Sequence, residues 1–324
     1  MIQPTLALNF ARTGQLDRRV NFSRSSTGVY TGYDGILKYA GINEPRFDYD
    51  ASANSLGLLI EEQRTNLALY SDSISSWPSS GVSVSSDAIA APDSISLADH
   101  IIESATDDFH RVYRDNVTLS AGQSYALSIY AKAGGRNTLT IYFYNKTLFG
   151  SVNHGVNVDL ITGDYTVVGS PDHIDVAALN DGWYRVGFSA TPTTSGNSGI
   201  HAYLNSAASY LGDGTSGIYL WGAQLELGAT PSSYIPTTTA TVTRTADAAE
   251  LSGDPFDSWI HTEGTLLAKY KTTGWLYNDT PPTDSLDITK YIDDYSTSAA
   301  GDTIERVLFY PRTLTAAQRG RIML

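Results

Sequence analysis

Catalysis by acids, bases, metals or nucleophiles needs particular side chains at particular spacings, and this chain of 324 residues holds few such sets. Its six histidines are His100, His110, His154, His173, His201 and His261. They form no H-E-x-x-H and no pair at an evident metal-ligand spacing. Cysteine is absent, which removes thiolate nucleophiles, thiolate metal sites and disulfides. There is no G-x-S-x-G elbow, no Walker A run, and no G-x-G-x-x-G between a strand and a helix. Adjacent acids occur at Glu61-Glu62, Asp107-Asp108 and Asp293-Asp294. A glycosidase needs two carboxylates facing each other across a bond, whereas strand neighbours point to opposite faces. These pairs therefore read as turn formers and solvated charges. Asp213, in Leu211-Gly-Asp-Gly-Thr-Ser-Gly, has the surroundings of a structural calcium ligand. One carboxylate is too few for a site, so the plain turn reading leads and no other cofactor is expected.

The aromatic residues carry a stronger pattern. Thr138 to Asn145 alternates Leu139, Ile141 and Phe143 with Tyr142 and Tyr144. Gly199 to Asn205 alternates Ile200, Ala202 and Leu204 with His201, Tyr203 and Asn205. Tyr125 to Lys132 sets Leu127 and Ile129 against Ser128, Tyr130 and Lys132, and Trp183 to Ala190 sets Val186 and Phe188 against Trp183 and Arg185. The aliphatic set makes a core. If these strands share one sheet, its outer face carries Trp183, Tyr142, Tyr144, Tyr203, Tyr130, Arg185, His201 and Asn205. Flat rings flanked by amides and a guanidinium suit a sugar, whose C–H face stacks on a ring while its hydroxyls take hydrogen bonds. The plainer alternatives are that another domain or subunit covers this face, or that tyrosine simply favours strands.

The elements that must position these residues are strands. Tyr125 to Lys132, Thr138 to Asn145, Gly155 to Leu160, Trp183 to Ala190, Gly199 to Asn205 and Gly217 to Leu227 are separated by Gly- and Asn-rich turns. The spacing predicts an all-β protein whose centre, residues 73–245, is an antiparallel β-sandwich of jelly-roll type. Residues 1–72 read as a small loop-rich β module with a hairpin at Asp34-Gly35. The Ser-rich stretch Ser71 to Ser86 reads as a linker or lead-in. Residues 246–324 hold strand patterns at Gly264 to Tyr270 and Ile304 to Tyr310, a polar loop from Asn278 to Asp284, and a short helical tail, Thr315 to Ile322.

Composition bounds the partners. Asp plus Glu is 34 against 21 Lys plus Arg, a net charge of −13 that repels phosphate backbones and argues against nucleic acid. The N-terminal MIQPTLALNFARTG has no basic region leading into an apolar one, and no apolar run is long enough to span a bilayer. No membrane insertion is expected. Absent cysteines fit folding in a reducing cytosol, or a protein that must later survive outside without redox sensitivity.

Several stretches taken together resemble a known family. They are Pro45-Arg-Phe-Asp-Tyr-Asp with Gly57-Leu-Leu-Ile-Glu-Glu-Gln-Arg-Thr-Asn-Leu; Gly182-Trp-Tyr-Arg-Val with Leu220-Trp-Gly-Ala-Gln-Leu-Glu-Leu-Gly, Pro231-Ser-Ser-Tyr-Ile-Pro and Thr243-Arg-Thr-Ala-Asp; and Ile304-Glu-Arg-Val-Leu-Phe-Tyr-Pro-Arg-Thr-Leu. Their order resembles virion structural proteins of tailed bacteriophages and prophages, of the tail-fibre and head-spike type. The resemblance implies a carbohydrate-binding-module-like jelly roll followed by a concanavalin-like, laminin-G-like part, here cut short. It implies a non-enzymatic surface protein of a phage, or of a phage-like particle such as a gene transfer agent. Such a protein is assembled in the bacterial cytoplasm with other virion proteins, is released by lysis, and attaches to host-surface polysaccharide. Alternatives are a polysaccharide depolymerase using acids such as Asp107, Asp159, Asp175 and Asp213, or a purely architectural spacer. Leu58, Leu59, Ile60, Leu266, Leu267, Val307, Leu308 and Phe309 lie on strands too few to cover them, so a homotrimer is expected, with threefold symmetry implied by the resemblance.

Overall fold

The computed structural model describes residues 3–205, 208–252, 265–271, 274–278, 285–288 and 303–323. His261, residue 264, the 279–284 loop and Asp293-Asp294 lie outside them. The described chain is all-β, with antiparallel sheets and short helices. Among the described residues no helix is long and apolar enough to cross a membrane. The chain forms two compact units, residues 64–244 and residues 1–63 with 245–324.

The 64–244 unit is a sandwich of two six-stranded antiparallel sheets. The first runs His173–Ala178, Trp183–Ala190, Tyr125–Gly134, Gly217–Leu227, Leu97–Glu103, Val82–Ala90. The second runs Tyr165–Val168, Gly155–Asp159, Thr138–Phe143, Gly196–Leu204, Arg111–Leu119, Ser79–Ser80. The period-two alternation turns Leu127, Ile129, Val186 and Phe188 of the first sheet toward Leu139, Ile141, Phe143 and Ala202 of the second, in one buried core. Phe143 and Phe188 meet across it edge to face, centroids 5.0 Å apart.

One expectation changes here. The Ser-rich stretch is part of the sandwich and not a linker. Ile74 and Trp77 are buried in its core, and Trp77 Nε1 donates to the carbonyls of Leu69 and Tyr70 at 3.1 and 3.2 Å. The Val82–Ala90, Leu97–Glu103 and Arg111–Leu119 strands also emerge from sequence too polar to announce them.

The second unit unites both ends of the chain. Thr303–Tyr310 pairs with Thr265–Tyr270 on one side, and with Leu6–Asn9 and Ser55–Leu59 end to end on the other. Gly57 permits that junction: its φ is +104°, and a β-carbon there would sit 2.2 Å from the Ile304 carbonyl oxygen. Leu58, Ile60, Leu266, Val307 and Phe309 share a core with Leu6, Leu8 and Phe10. Leu267 and Leu308 pack with Tyr310, Leu314 and the helix Ala316–Ile322, which opens with a Thr315/Gln318 capping box. The division into 1–72, 73–245 and 246–324 is therefore replaced. The terminal segments are not separate modules, because the strands of each complete the sheet of the other. The apolar strands that called for a homotrimer are covered within the chain, and that argument for assembly falls away.

A buried ion network ties the ends of this unit together. Asp247 accepts from Arg24 Nη1 at 3.0 Å, from Arg46 Nη2 at 2.6 Å and from the Glu61 backbone N–H at 2.8 Å. Arg46 Nη1 also pairs with Glu61 at 2.6 Å. A desolvated charge is tenable only with such partners. Asp247→Asn leaves two buried guanidiniums short of charge and is expected to destabilise this unit by about 3–5 kcal/mol. Chemical denaturation of the full chain checks this; an unshifted midpoint would show that the network does not hold the unit.

Candidate functional site

The eight residues expected on one ligand face are divided between the two sheets. Tyr130, Trp183 and Arg185 lie on the first sheet, where Tyr130 pairs with Arg185 and Lys132 with Trp183. Residues 229–237 are strapped over that sheet. Gln224 and Glu226 are fully buried: Glu226 accepts from Ser232 N and Oγ, both at 2.6 Å, and Gln224 Oε1 accepts from Ile235 N at 2.7 Å. Arg185 donates to the Ser232 carbonyl and to Ser128 Oγ, and Tyr130 packs on Trp221 and Tyr234. Trp183 is 2% exposed. These three are framework and not a ligand platform, because the chain's own strap and neighbours have taken their place.

The second sheet gathers the others. Tyr142, Tyr144, His201 and Tyr203 come together with Arg111 and Tyr113 of the Arg111–Leu119 strand, paired as Tyr142 with His201 and Tyr113 with His201. Tyr142 and Tyr203 stack at 5.2 Å and 17° but are only 5% and 2% exposed. Burial, with a hydrogen bond to Tyr203, pushes the Tyr142 phenol well above its ordinary pKa. With Trp183, they correct the expectation that the outer face presents these rings to a ligand. Asn205 ends its strand at φ +63° and acts through its backbone, its carbonyl accepting from Thr140 Oγ1 at 3.0 Å.

Tyr144 is the exception, 51% exposed. Its backbone N–H bonds the Gly199 carbonyl at 2.9 Å, so it continues the pairing one residue past Thr138–Phe143. Its ring lies on buried His201, centroids 4.2 Å apart and planes within 3°. His201 is fixed in turn. Nε2 meets Asp115 Oδ1 at 3.0 Å, while Nδ1 faces Arg111 Nη1 and the Tyr203 hydroxyl, each at 3.3 Å. This places the ring proton on Nε2. Burial lowers the His201 pKa, with Asp115 opposing, so the imidazole is neutral near pH 7. A bulge between Asp115 and Val117 lets the carboxylate fold over the sheet, and Gly199 leaves the room: a β-carbon there would lie 2.1 Å from Asp115 Oδ1.

Beside Tyr144 opens a cleft of about 700 Å³. Asn145, Thr147, Asn153, Asn197 and Ser198 give it amides and hydroxyls, and Asp115 and Lys146 give it one charge of each sign. Its wall is a short 3₁₀ turn, Lys146–Phe149, anchored by buried Leu148 and Phe149. Asn145 braces it, accepting from Thr147 Oγ1 at 2.6 Å and donating to the Asn197 carbonyl at 2.8 Å. A rigid ring beside many neutral donors and acceptors is equipped to hold a polyhydroxylated ligand.

Sequence reading missed Arg111, Tyr113 and Asp115, although Arg111-Val-Tyr-Arg-Asp alternates around buried Val112. The loop residues from Asn145 to Thr147 and at Asn197 carried no periodic signal. Asp213 is a turn former: its oxygens accept from the N–H groups of Thr215 and Ser216 at 2.8 and 2.7 Å and from Ser216 Oγ at 2.6 Å. Among the described residues no group of three or more metal-ligating side chains converges. Asp159, named for a depolymerase, likewise caps its own turn at Ile161 N, 2.7 Å.

No family model matches the chain, and no curated protein does. Among solved structures it is similar to the CBM22-1–GH10 modules of the Clostridium thermocellum N-terminal endo-1,4-β-D-xylanase 10B, complexed with xylohexaose. The match has a TM-score of 0.31 and 11% identity, covering 55% of this chain and 30% of the other. This chain thus spans less than a third of the length of that structure.

The neutral state of His201 generates a titration test. Above its ordinary value of 6.5 the imidazole is neutral both folded and unfolded, and its contribution to stability is complete. As pH falls, the unfolded chain takes the proton first, and that contribution is lost on the way down through the folded pKa. NMR titration should place the His201 midpoint below 6.5, and Asp115→Asn should lower it further by removing the partner that favours the charged form. A midpoint at or above 6.5 would contradict the buried stack. Gly199→Ala should displace Asp115 and loosen the Tyr144 ring, read as faster ring flipping with the sandwich still folded.

Proposed function

We propose that this chain is a non-enzymatic surface protein of a phage or phage-like particle, and that its 64–244 sandwich binds host-surface polysaccharide at the Tyr144 cleft. The observation that carries the binding reading is Tyr144 itself: a half-exposed ring held flat on a buried imidazole at 4.2 Å, at the lip of a cleft of amides and hydroxyls. A ring so held loses little freedom when a pyranose stacks on it, and stacking contributes about 0.5–1.5 kcal/mol beyond area burial. The particle context rests on the resemblance of the Pro45–Asp50, Leu220–Gly228 and Ile304–Leu314 stretches to virion proteins.

Glycan-array and calorimetric binding with the full chain, alongside a reducing-end assay, tests this. Binding without new reducing ends is expected. Tyr144→Ala should weaken it about tenfold, the scale of one stacked ring, while the melting temperature stays put. Tyr203→Ala, by contrast, should cost about 3–5 kcal/mol of stability, as truncation of a buried aromatic does. Cleavage of the glycan would replace this reading with a depolymerase. No binding, with the protein still found on particles, would replace it with an architectural part.

A further inference from the structure

We infer that the sugar taken at the Tyr144 cleft is acidic, with a carboxylate that docks on Arg111; this rests on the carbohydrate-binding reading and narrows its ligand class. Arg111 stands on the same face as Tyr144, its guanidinium carbon 5.8 Å from that ring's centroid, 5.0 Å from Tyr113 and 5.5 Å from Tyr203. Nη1 donates to the Tyr203 hydroxyl at 2.6 Å and lies 3.3 Å from His201 Nδ1, which fixes the plane of the fork. Nη2 is not buried and meets no acceptor among the described residues, and buried Nε has no partner either.

Acids outnumber bases 34 to 21, and Arg24, Arg46 and Arg136 are each matched to a carboxylate at 3.0 Å or less. Among the described residues Arg111 has no acidic partner, and neither does Lys146, the exposed cation in the cleft wall. Nη2, oriented by the bonds of Nη1 and open to solvent near the Tyr144 ring, is placed to donate to a carboxylate that a ligand brings.

The remaining groups define that ligand. Phosphate or sulfate alone has no C–H face for Tyr144. A neutral sugar would satisfy Tyr144 and the amides but leave Arg111 unmet. Asp115 is the carboxylate on this face; its Oδ1 is held by His201, and its side chain is 42% exposed, so it accepts from hydroxyls. A sugar bearing both hydroxyls and a carboxylate, such as a uronic or sialic acid, answers all of these groups.

The test uses the full chain at 0.15 M salt, where a screening length of about 8 Å leaves mainly the site's own charges to act. Oligogalacturonate, hyaluronan oligosaccharides and sialyl-lactose are each compared with their carboxyl-reduced forms and with neutral xylo- and cello-oligosaccharides. At least one acidic probe should bind about tenfold more tightly than its reduced form, the scale of one charge-assisted hydrogen bond. Arg111→Gln should erase that ratio. Lys146→Gln, a surface change with no packing role, should reduce the ratio a few-fold and covers the case in which Arg111→Gln does not fold. Equal affinity for acidic and reduced forms, or binding of neutral probes alone, overturns the acidic preference and leaves carbohydrate binding standing. A ratio that survives Arg111→Gln in a folded protein overturns the assignment to Arg111. Retention of no probe of either kind overturns both readings.

Discussion

Glu226 has no exposed surface, and a carboxylate in that position is tenable only while donors surround it. Burial pushes its carboxyl above the ordinary range, and Ser232, Gln224 and the charge of Arg185 push back. Arg64 Nε stands 3.9 Å away. Those donors come mostly from one stretch of chain, which must lie across the first sheet to deliver them. The strap and the buried acid therefore require each other. Their union also covers the part of the first sheet's outward face that holds Tyr130 and Arg185, and so removes those side chains from a ligand platform.

The second sheet is built by a different rule. Its outer face carries aromatic rings and a guanidinium, and among the described residues no strap is stitched to them in the way that residues 229–237 are stitched to the first sheet. The rings pack on each other instead, leaving Tyr144 at the margin. Its exposure would mean little if the ring were loose. It matters because an imidazole lies parallel beneath it, and because Asp115 sets the tautomer and angle of that imidazole through a bulge and a glycine. Support of this kind converts an exposed tyrosine into an ordered surface.

The stretches that carry the resemblance to virion proteins turn out to be framework. Arg46, Glu61 and Asp247 come from distant parts of the sequence and meet in one buried network, while Gln224, Glu226 and Ser232 meet in another. Buried charges tolerate little change, because removing one partner strands the other. The site residues face no such constraint. Asn145, Lys146 and Asn197 stand in loops or at strand ends, where a different side chain alters the ligand without unsettling the core.

Much of the fold was written in local pattern. Alternation of Leu139, Ile141 and Phe143 with tyrosines dictates a half-buried strand wherever it occurs, and the Thr315/Gln318 pair marks a helix start, because these signals act between near neighbours. Two things were decided only in three dimensions. One was sheet membership: alternation says which side chains share a strand's face, but not which strands lie side by side, so Tyr130, Trp183 and Arg185 were grouped with rings that sit on the other sheet. The other was exposure. An outward-facing ring in sequence is buried or open according to what the rest of the chain lays over it, and the strap over Tyr130 and the strands that close over Leu308 and Leu58 arrive from far away in sequence. Local residues determined that this is a sandwich edged with aromatics. Long-range packing determined that Tyr144, among the rings expected on the ligand face, is the one left facing water.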